Sequence, residues 1–363
     1  MDKKLKISII GSRGYPYIYS GYETLVKELA ERLVKKGHIV RVYCHSSLFK
    51  TKPKFVNGVE LIYTPSIETK FSSQFINSFF STLHFCFSSF EIGLYVNSAN
   101  GPFGILTKLF GKKTYINVDG LEWLRPKWKG LGSYYFKIAS KFATIFFDEI
   151  ITDSIEMNKI YKNQFKKDST VIAYGPTMIK NLKQDIKKLY NLKKNNYYLI
   201  VGRLIPDNNP LFIIQHFLKI NTKRKLVVVG DVPYYDRYAS IIKSIDDERI
   251  ILLGYVKNQE HLSLLYQESY YYVHGHEYGG TNPTMINAID MNCRILSLRT
   301  KFNEEMLKGI NCVFFEKNSK SIIDSFKVCE SHNVKKTDLN YNIENKYNWD
   351  CITEKYINLF NEI

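Results

Sequence analysis

The densest run of chemistry-bearing residues is "HGHEYGGTNPTMINA", residues 274–288. Gly279 and Gly280 stand before Thr281, Asn282 and Pro283, and a helix-like stretch follows. Glycines let a ligand approach the backbone, proline suits a first helical turn, and the N–H groups and dipole of a helix start attract an anion. Such a bend can hold phosphate; taken alone, one Gly-Gly pair reads first as an ordinary strand-to-helix turn. A second candidate is Arg203 in "VGRLIPDNNP", placed just past an apolar run, where a guanidinium can clamp a diphosphate or simply be solvated. A third is "GSRGYPYIYSGYETL", with Gly11, Gly14 and Gly21 ahead of a helix that starts near Glu23. Its spacing is not G-x-G-x-x-G, so it reads as a flexible substrate loop and not a dinucleotide fingerprint. Glu23 is equally a charge partner for the helix start.

These bends need strands and helices to position them. "KISIIGSRG", "IVRVYCH", "GVELIYTP", "EIGLYVNSANG", "KTYINVDG", "DEIITDS" and "STVIAYGP" are apolar runs separated by helical or loop stretches, the first helix carrying Leu25, Val26, Leu29, Leu33 and Val34 on one face. "YYLIVGRLIP", "RKLVVVGD", "RIILLGYV", "SYYYVHGH", "CRILSLRT" and "NCVFF" form a second series. Strands alternating with helices imply an α/β class with two doubly wound parallel sheets, facing each other across a cleft at the carboxyl ends of the strands. The lysine-rich stretch between the two series carries no clear core face, so the expected boundaries are 1–175 for a first domain, 176–195 for a linker, 196–345 for a second domain and 346–363 for a terminal helix that returns to the first.

The chain has 363 residues, 45% of them hydrophobic, which suits two ordinary cores. A formal net charge of +16 favours anionic partners. The cations are dispersed and no recognition motif for nucleic acid occurs, so a nucleic-acid partner is not expected. The six cysteines are scattered without a C-x-x-C pair, which argues against a zinc site and a disulfide framework and for reduced thiols in the cytoplasm. "MDKKLKISIIGSRG" reads as a first strand and not a signal peptide, and no apolar run is long enough to span a bilayer.

The order of "IIGSRGYP…SGYETLV", "NVDGLEWLRPKW", "VGRLIPDNNP", "YYYVHGH…GGTNP" and "YNWDCITEKYINLF" resembles the retaining family-4 GT-B glycosyltransferases, and more closely their bacterial cell-wall and capsule rhamnosyltransferases. The resemblance runs through nearly the whole chain. It implies a GT-B fold of two Rossmann-like domains and transfer of a sugar, rhamnose from dTDP-rhamnose, to a lipid-linked saccharide. It implies that Gly279, Gly280, Thr281 and Asn282 cradle the donor diphosphate and sugar with His276, Asn208 and Asn287 beside them, and that Arg203 is the cationic clamp. Asp119 falls where such enzymes touch the transferred sugar, with the alternative of a plain turn residue, and Glu122, Trp123 and Arg125 share its loop. Gly14, Gly21, Tyr22 and Glu23 are placed on the acceptor side. Trp349 and Tyr356 read as packing residues of the last helix.

Two departures from the family pattern stand out. The two glutamates usual in the family correspond here to Gly279 and Asn287. Rhamnosyltransferases of this kind also lack the first, but Asn287 offers the ribose only an amide carbonyl as acceptor. Glu277 either compensates or is a solvated loop charge. The lysine usual after the arginine is replaced by Asp207, Asn208 and Asn209. No cofactor and no metal are expected, there being no D-x-D triplet, and the resemblance implies that the departing phosphate itself acts as base. Residues 70–90, "KFSSQFINSFFSTLHFCFSSF", carry no charge after Lys70 and many phenylalanines; most of these are expected in a core helix, while the basic chain as a whole suits peripheral contact with the anionic inner membrane face. Two alternatives remain open: a catalytically weakened paralogue acting as a partner subunit, because of Asn287, and a GT-B nucleotide-sugar epimerase, whose acid/base carboxylates have no obvious place here.

Overall fold

The computed structural model describes residues 4–16, 21–67, 72–118, 120–124, 130–232, 235–331 and 345–362. Two compact units emerge, Met1–Tyr174 with Asn348–Ile363, and Gly175–Tyr347.

Unit 1 is built on the strands β1 (Lys6–Ile10), β2 (Ile39–His45), β3 (Phe55–Val56), β4 (Val59–Thr64), β5 (Ile92–Val96), β6 (Lys113–Asn117), β7 (Glu149–Thr152) and β8 (Thr170–Val171). They lie in the order β3-β4-β2-β1-β5-β6-β7-β8, parallel throughout except for the β3–β4 pair. Ile7, Ile9, Ile10, Leu94 and Ile116 are fully buried, as expected of parallel strands covered on both faces. From β1 the chain winds one way to β2 and β4 and the other way to β5, β6 and β7. Right-handed crossovers therefore put helix Gly21–Lys35 on one face and helices Ser72–Cys86, Gly104–Leu109 and Leu131–Phe146 on the other. The last helix, Trp349–Asn361, packs beside Gly21–Lys35. The Tyr115 hydroxyl donates to the Leu359 carbonyl at 3.1 Å, and the Asn117 amide donates to the Tyr356 hydroxyl at 3.2 Å.

Helix Ser72–Cys86 corrects one expectation. Phe85 and Phe90 are buried, but Phe75, Phe79, Phe80 and Phe87 are exposed, and it is Asn77, Ser78, Ser81 and Thr82 that face inward. The reason lies in the sheet below. Asn77 donates to Thr64 Oγ1 at 2.8 Å, Thr64 and Ser81 share a hydroxyl bond at 2.8 Å, the Tyr95 hydroxyl donates to Thr82 at 2.9 Å, and Gln74 donates to the Gly11 carbonyl at 2.6 Å. Buried polar groups with partners are tolerated where unpartnered ones are costly, so a polar helix face fits this polar patch.

Unit 2 carries β9 (Tyr197–Val201), β10 (Lys225–Val229), β11 (Ile250–Gly254), β12 (Tyr271–His274), β13 (Ile295–Leu298) and β14 (Cys312–Phe315). The order is β11-β10-β9-β12-β13-β14, all parallel. Its core includes Tyr198, Ile213, Phe217, Val228, Tyr271 and Phe326. Residues 176–195, expected as a free linker, are instead held to this unit. The Ile179 N–H donates to Ser263 at 2.9 Å, Lys180 pairs with Asp290 at 2.9 Å, the Asn195 N–H donates to the Glu268 carbonyl at 2.8 Å, and a short helix spans Ile186–Tyr190. Their docking partners lie some seventy or more positions away in sequence, which local lysine content does not reveal.

At the end of β12, His274 is fully enclosed and its Nδ1 lies 2.9 Å from the Tyr272 hydroxyl. Burial pushes its pKa down to about 3, against 6.5 for a solvated imidazole. The unfolded chain therefore binds a proton below pH 6.5 that the folded chain refuses until about pH 3, and stability falls as pH falls through that window. His274→Leu should flatten this acid-side decline in a series of melting curves; an unchanged pH profile in the variant would mean that the imidazole is not held neutral by the fold.

Candidate functional site

In an open parallel sheet, ligands bind beyond the carboxyl ends of the strands where the winding direction reverses. In unit 2 that point lies between β9 and β12, paired as Tyr271 with Tyr198 and Tyr272 with Leu199. The loops leaving these two strands are Gly202–Asn209 and Gly275–Asn282, the two stretches singled out by residue type. The fold thus places Arg203 and the Gly279–Gly280 bend at one crevice.

The loops are tied to each other. Asn208 donates its amide to the Arg203 carbonyl at 2.8 Å, so its Oδ1 is the acceptor for His276 Nδ1 at 2.6 Å, which fixes the imidazole with its proton on Nδ1. Asn209, in the left-handed region at φ +53°, donates to the Gly275 carbonyl at 2.7 Å and to Glu277 Oε1 at 3.0 Å. The Glu277 N–H returns a bond to the Asp207 carbonyl at 3.1 Å, and Lys317 pairs with the Glu277 carboxylate. Asn208 and His276 therefore bind each other, and Glu277 is an ion-paired brace. Asn209, read from sequence only as one of three residues in place of the family's lysine, and Asn303, whose amide holds the His276 and Leu298 carbonyls at 3.1 and 2.8 Å, were not assigned to the site by sequence reasoning. An asparagine directly before a proline and a loop rich in bare carbonyls were the available signals.

Above this lattice, the Arg203 side chain is exposed and makes no hydrogen bond or ion pair among the described residues. The N–H groups of Gly279, at φ +116°, and Gly280 likewise have no bond among the described residues. Thr281 is buried. Asn282 caps helix Pro283–Asp290, accepting from the Thr284 N–H at 3.0 Å and its hydroxyl at 2.8 Å, while its own N–H turns to Met306 Sδ at 3.3 Å. The backbone donors of this bend left without a bond among the described residues are thus those of the two buried glycines. Tyr272 and Tyr266 hold Thr284 from below through 2.8 and 3.1 Å bonds.

Asn287 is buried on the same helix, and its Oδ1 accepts the Thr177 N–H at 3.0 Å. Its amide thereby anchors the first residues of unit 2.

In unit 1 the reversal lies between β1 and β5, and the loops there are residues 11–16 and 97–103. Gly11 and Gly14 have φ of +97° and +126°; a Cβ on Gly11 would sit 2.3 Å from the Asn100 amide, and one on Gly14 2.9 Å from Cys44 Sγ. Glu23, buried in the first turn of its helix, accepts the Arg13 N–H at 3.0 Å and so pins the loop, while Gly21 and Tyr22 begin the same helix half-buried. The Ser12 and Ser98 hydroxyls and Asn100 Oδ1 are buried here without partners among the described residues. "NSANG" was read only as the end of a strand, yet the reversal of winding makes it the second wall of this crevice. Glu122 is half-buried, and Trp123 packs its ring against Tyr161 and Phe165 at centroid distances of 6.2 and 6.0 Å. Asp119 and Arg125 lie outside the described residues.

Two doubly wound sheets, each with its glycine-bearing loops at the point of reversal, make up a GT-B fold. Residues 182–346 match the family described as Glycosyl transferases group 1, and residues 90–177 match a domain of unknown function, DUF1972. Among solved structures, sucrose-phosphate synthase from Thermosynechococcus elongatus superposes with a TM-score of 0.80 at 14% identity, covering 99% of both chains. Anabaena HepE in complex with UDP gives 0.76 at 12% identity, covering 99% of this chain and all of that one. A curated relative, N-acetylgalactosamine-N,N'-diacetylbacillosaminyl-diphospho-undecaprenol 4-alpha-N-acetylgalactosaminyltransferase of Campylobacter jejuni, is 24% identical over 162 residues, which are 42% of this chain and 43% of that protein. The match thus spans under half the length of that relative.

A Cβ on Gly275 would lie 2.5 Å from the Asn208 carbonyl oxygen, a backbone atom that cannot swing aside. Gly275→Ala should force the two loops apart, destabilise unit 2 by about 1–3 kcal/mol and loosen the Arg203 loop. Differential scanning calorimetry checks the first and amide exchange over residues 202–209 the second; an unshifted transition with unaltered exchange would mean that the loops are not coupled through this contact.

Proposed function

We propose that the chain transfers a sugar, with retention, from a nucleoside-diphosphate donor held by unit 2 to a lipid-linked saccharide at the inner membrane face, in the synthesis of a capsule, O-antigen or cell-wall polysaccharide. The observation that carries this is the placement of Arg203 and of the Gly279 and Gly280 amides, all without a bond among the described residues, at the β9–β12 reversal of the segment that matches the group 1 family. A diphosphate there meets a guanidinium and two N–H donors, held in place before it arrives, and these stabilise the charge that grows on the leaving group. As the bond from the sugar's anomeric carbon to the phosphate oxygen breaks, the acceptor oxygen bonds to the same face of that carbon. The acceptor's proton passes to the departing phosphate. Neither a protein nucleophile nor a metal or cofactor has a part in this scheme. Asp119 is assigned to the transferred sugar, and Gly14, Gly21, Tyr22, Glu23, Glu122 and Trp123 to the acceptor side, through the family resemblance.

The nucleotide in the Anabaena structure and the lipid-linked substrate in the Campylobacter enzyme's name support the two substrate classes. Rhamnose from dTDP-rhamnose rests on the "YYYVHGH…GGTNP" and Asp207–Asn209 pattern. A second reading, a weakened paralogue serving as a partner subunit, is favoured by Asn287, whose amide already serves Thr177. If native protein transfers no sugar from any donor and Asn287→Glu does, that reading replaces the first.

dTDP-rhamnose at about a hundred times its Kd should stabilise unit 2 by about 2.7 kcal/mol, read as a rise in Tm. Equal or larger shifts from UDP- or GDP-sugars would reject the donor choice. Arg203→Ala should weaken donor binding by about 1.5–3 kcal/mol while leaving the ligand-free Tm in place. Titration calorimetry decides it, and undiminished affinity would return Arg203 to the status of a solvated surface residue.

A further inference from the structure

Three helices on one face of the unit 1 sheet, Ser72–Cys86, Gly104–Leu109 and Leu131–Phe146, pack side by side and turn large apolar side chains outward. Phe79 and Phe80 are 40% and 41% exposed, Phe87 73% and Leu109 77%, with Phe75 and Phe110 beside them. Phe87 and Phe110 stack edge to face at 4.9 Å, which joins the first two helices into one surface. Tyr134 and Tyr135 extend it onto the third. This is no ordinary leftover of apolar surface, because the first helix turns its own hydroxyls and amides to the interior while leaving phenylalanines outside. A water-facing helix of a monomer has the opposite polarity.

Charge identifies the occupant. The three helices together contain no Asp or Glu, and their exposed cations are Lys108, Lys137 and Lys141; Lys112 and Lys113 follow directly. The adjoining carboxylates are Glu91, Asp148 and Glu149, just before or at the start of strands β5 and β7, and Glu156, ion-paired with Lys159 on the next helix, Ile155–Phe165. An apolar surface with a lysine fringe and no acid matches an anionic bilayer, into whose interface aromatic rings insert while the lysines meet headgroups. A second copy of the chain would present the same lysines to these lysines. No described helix is long and apolar enough to cross a membrane, so contact here is with the surface.

We propose that this face of unit 1 docks the protein on anionic lipid. The proposal gives the membrane-facing part of the proposed function a location and rests on that reading for its purpose, although the surface itself is read from unit 1 alone. Flotation with vesicles of phosphatidylglycerol and phosphatidylcholine in equal parts, set against phosphatidylcholine alone and with neither donor nor acceptor present, tests it. Wild type should float with the mixed vesicles only. Phe79→Ser with Phe80→Ser should reduce the bound fraction about tenfold or more, and Lys108→Glu with Lys141→Glu should do so without touching the apolar surface. Circular dichroism and an unchanged Tm establish that each variant is folded. Undiminished flotation of both folded variants would overturn the proposal, and so would a wild-type dimer in light scattering that the phenylalanine changes convert to a monomer with no lipid binding. Donor titration on the same samples separates the readings: lost flotation with intact donor binding bears on the surface alone.

Discussion

The candidate site depends on one set of hydrogen bonds, those by which Asn208 and Asn209 fasten the loop after β9 to the loop after β12. The loop after β9 holds only a short 3-10 turn, Pro206–Asn208, the loop after β12 has no regular structure, and a bend built from Gly279 and Gly280 has little stiffness of its own. Cross-linking through the His276 ring, the Gly275 carbonyl and the Glu277 carboxylate gives the pair a defined geometry before any ligand is present. Preorganised donors of this kind are what a developing phosphate charge requires, since reorientation at the moment of reaction would forfeit much of their effect. Asn208 and Asn209, which do the fastening, are uncharged amides, and the Glu277 carboxylate is paired with Lys317. Arg203 remains the site's own cation.

Much of the architecture was legible in the sequence because buried parallel strands read as continuous apolar runs. "YYLIV", "KLVVV" and "ILSL" announced themselves, as did the glycines that close "KISIIGSRG". Arg203 and the Gly279–Gly280 bend were legible for the same reason: each follows a recognisable strand. The roles of Asn208, His276 and Asn287 were not. Asparagine bonds a backbone, another side chain or a ligand with equal ease, and the partners here lie 68 and 110 residues away. Asn287 shows the difference most clearly. Its type suggested a substituted ribose ligand, whereas the fold gives its carbonyl oxygen to Thr177 and so makes it the anchor of a stretch that looked like a linker.

Helix Ser72–Cys86 teaches the same lesson about faces. Its periodicity announces a helix, but which side turns inward is decided by the sheet, and Thr64 and Tyr95 present hydroxyls where an apolar floor was expected. A residue is placed by what can satisfy it, so a polar floor draws in the polar face and leaves the phenylalanines outside. In both units, then, polar groups buried at a distance decide which surface is left outside.

The central claim is that a nucleoside-diphosphate sugar sits against the two fastened loops of unit 2. Amide hydrogen exchange with and without dTDP-rhamnose tests it most directly, since it reports on each backbone segment separately. Slowed exchange centred on residues 202–209 and 275–286 is the expected result. Protection confined to residues 11–16 and 97–103 of unit 1, with the unit 2 loops exchanging as in the free protein, would contradict it.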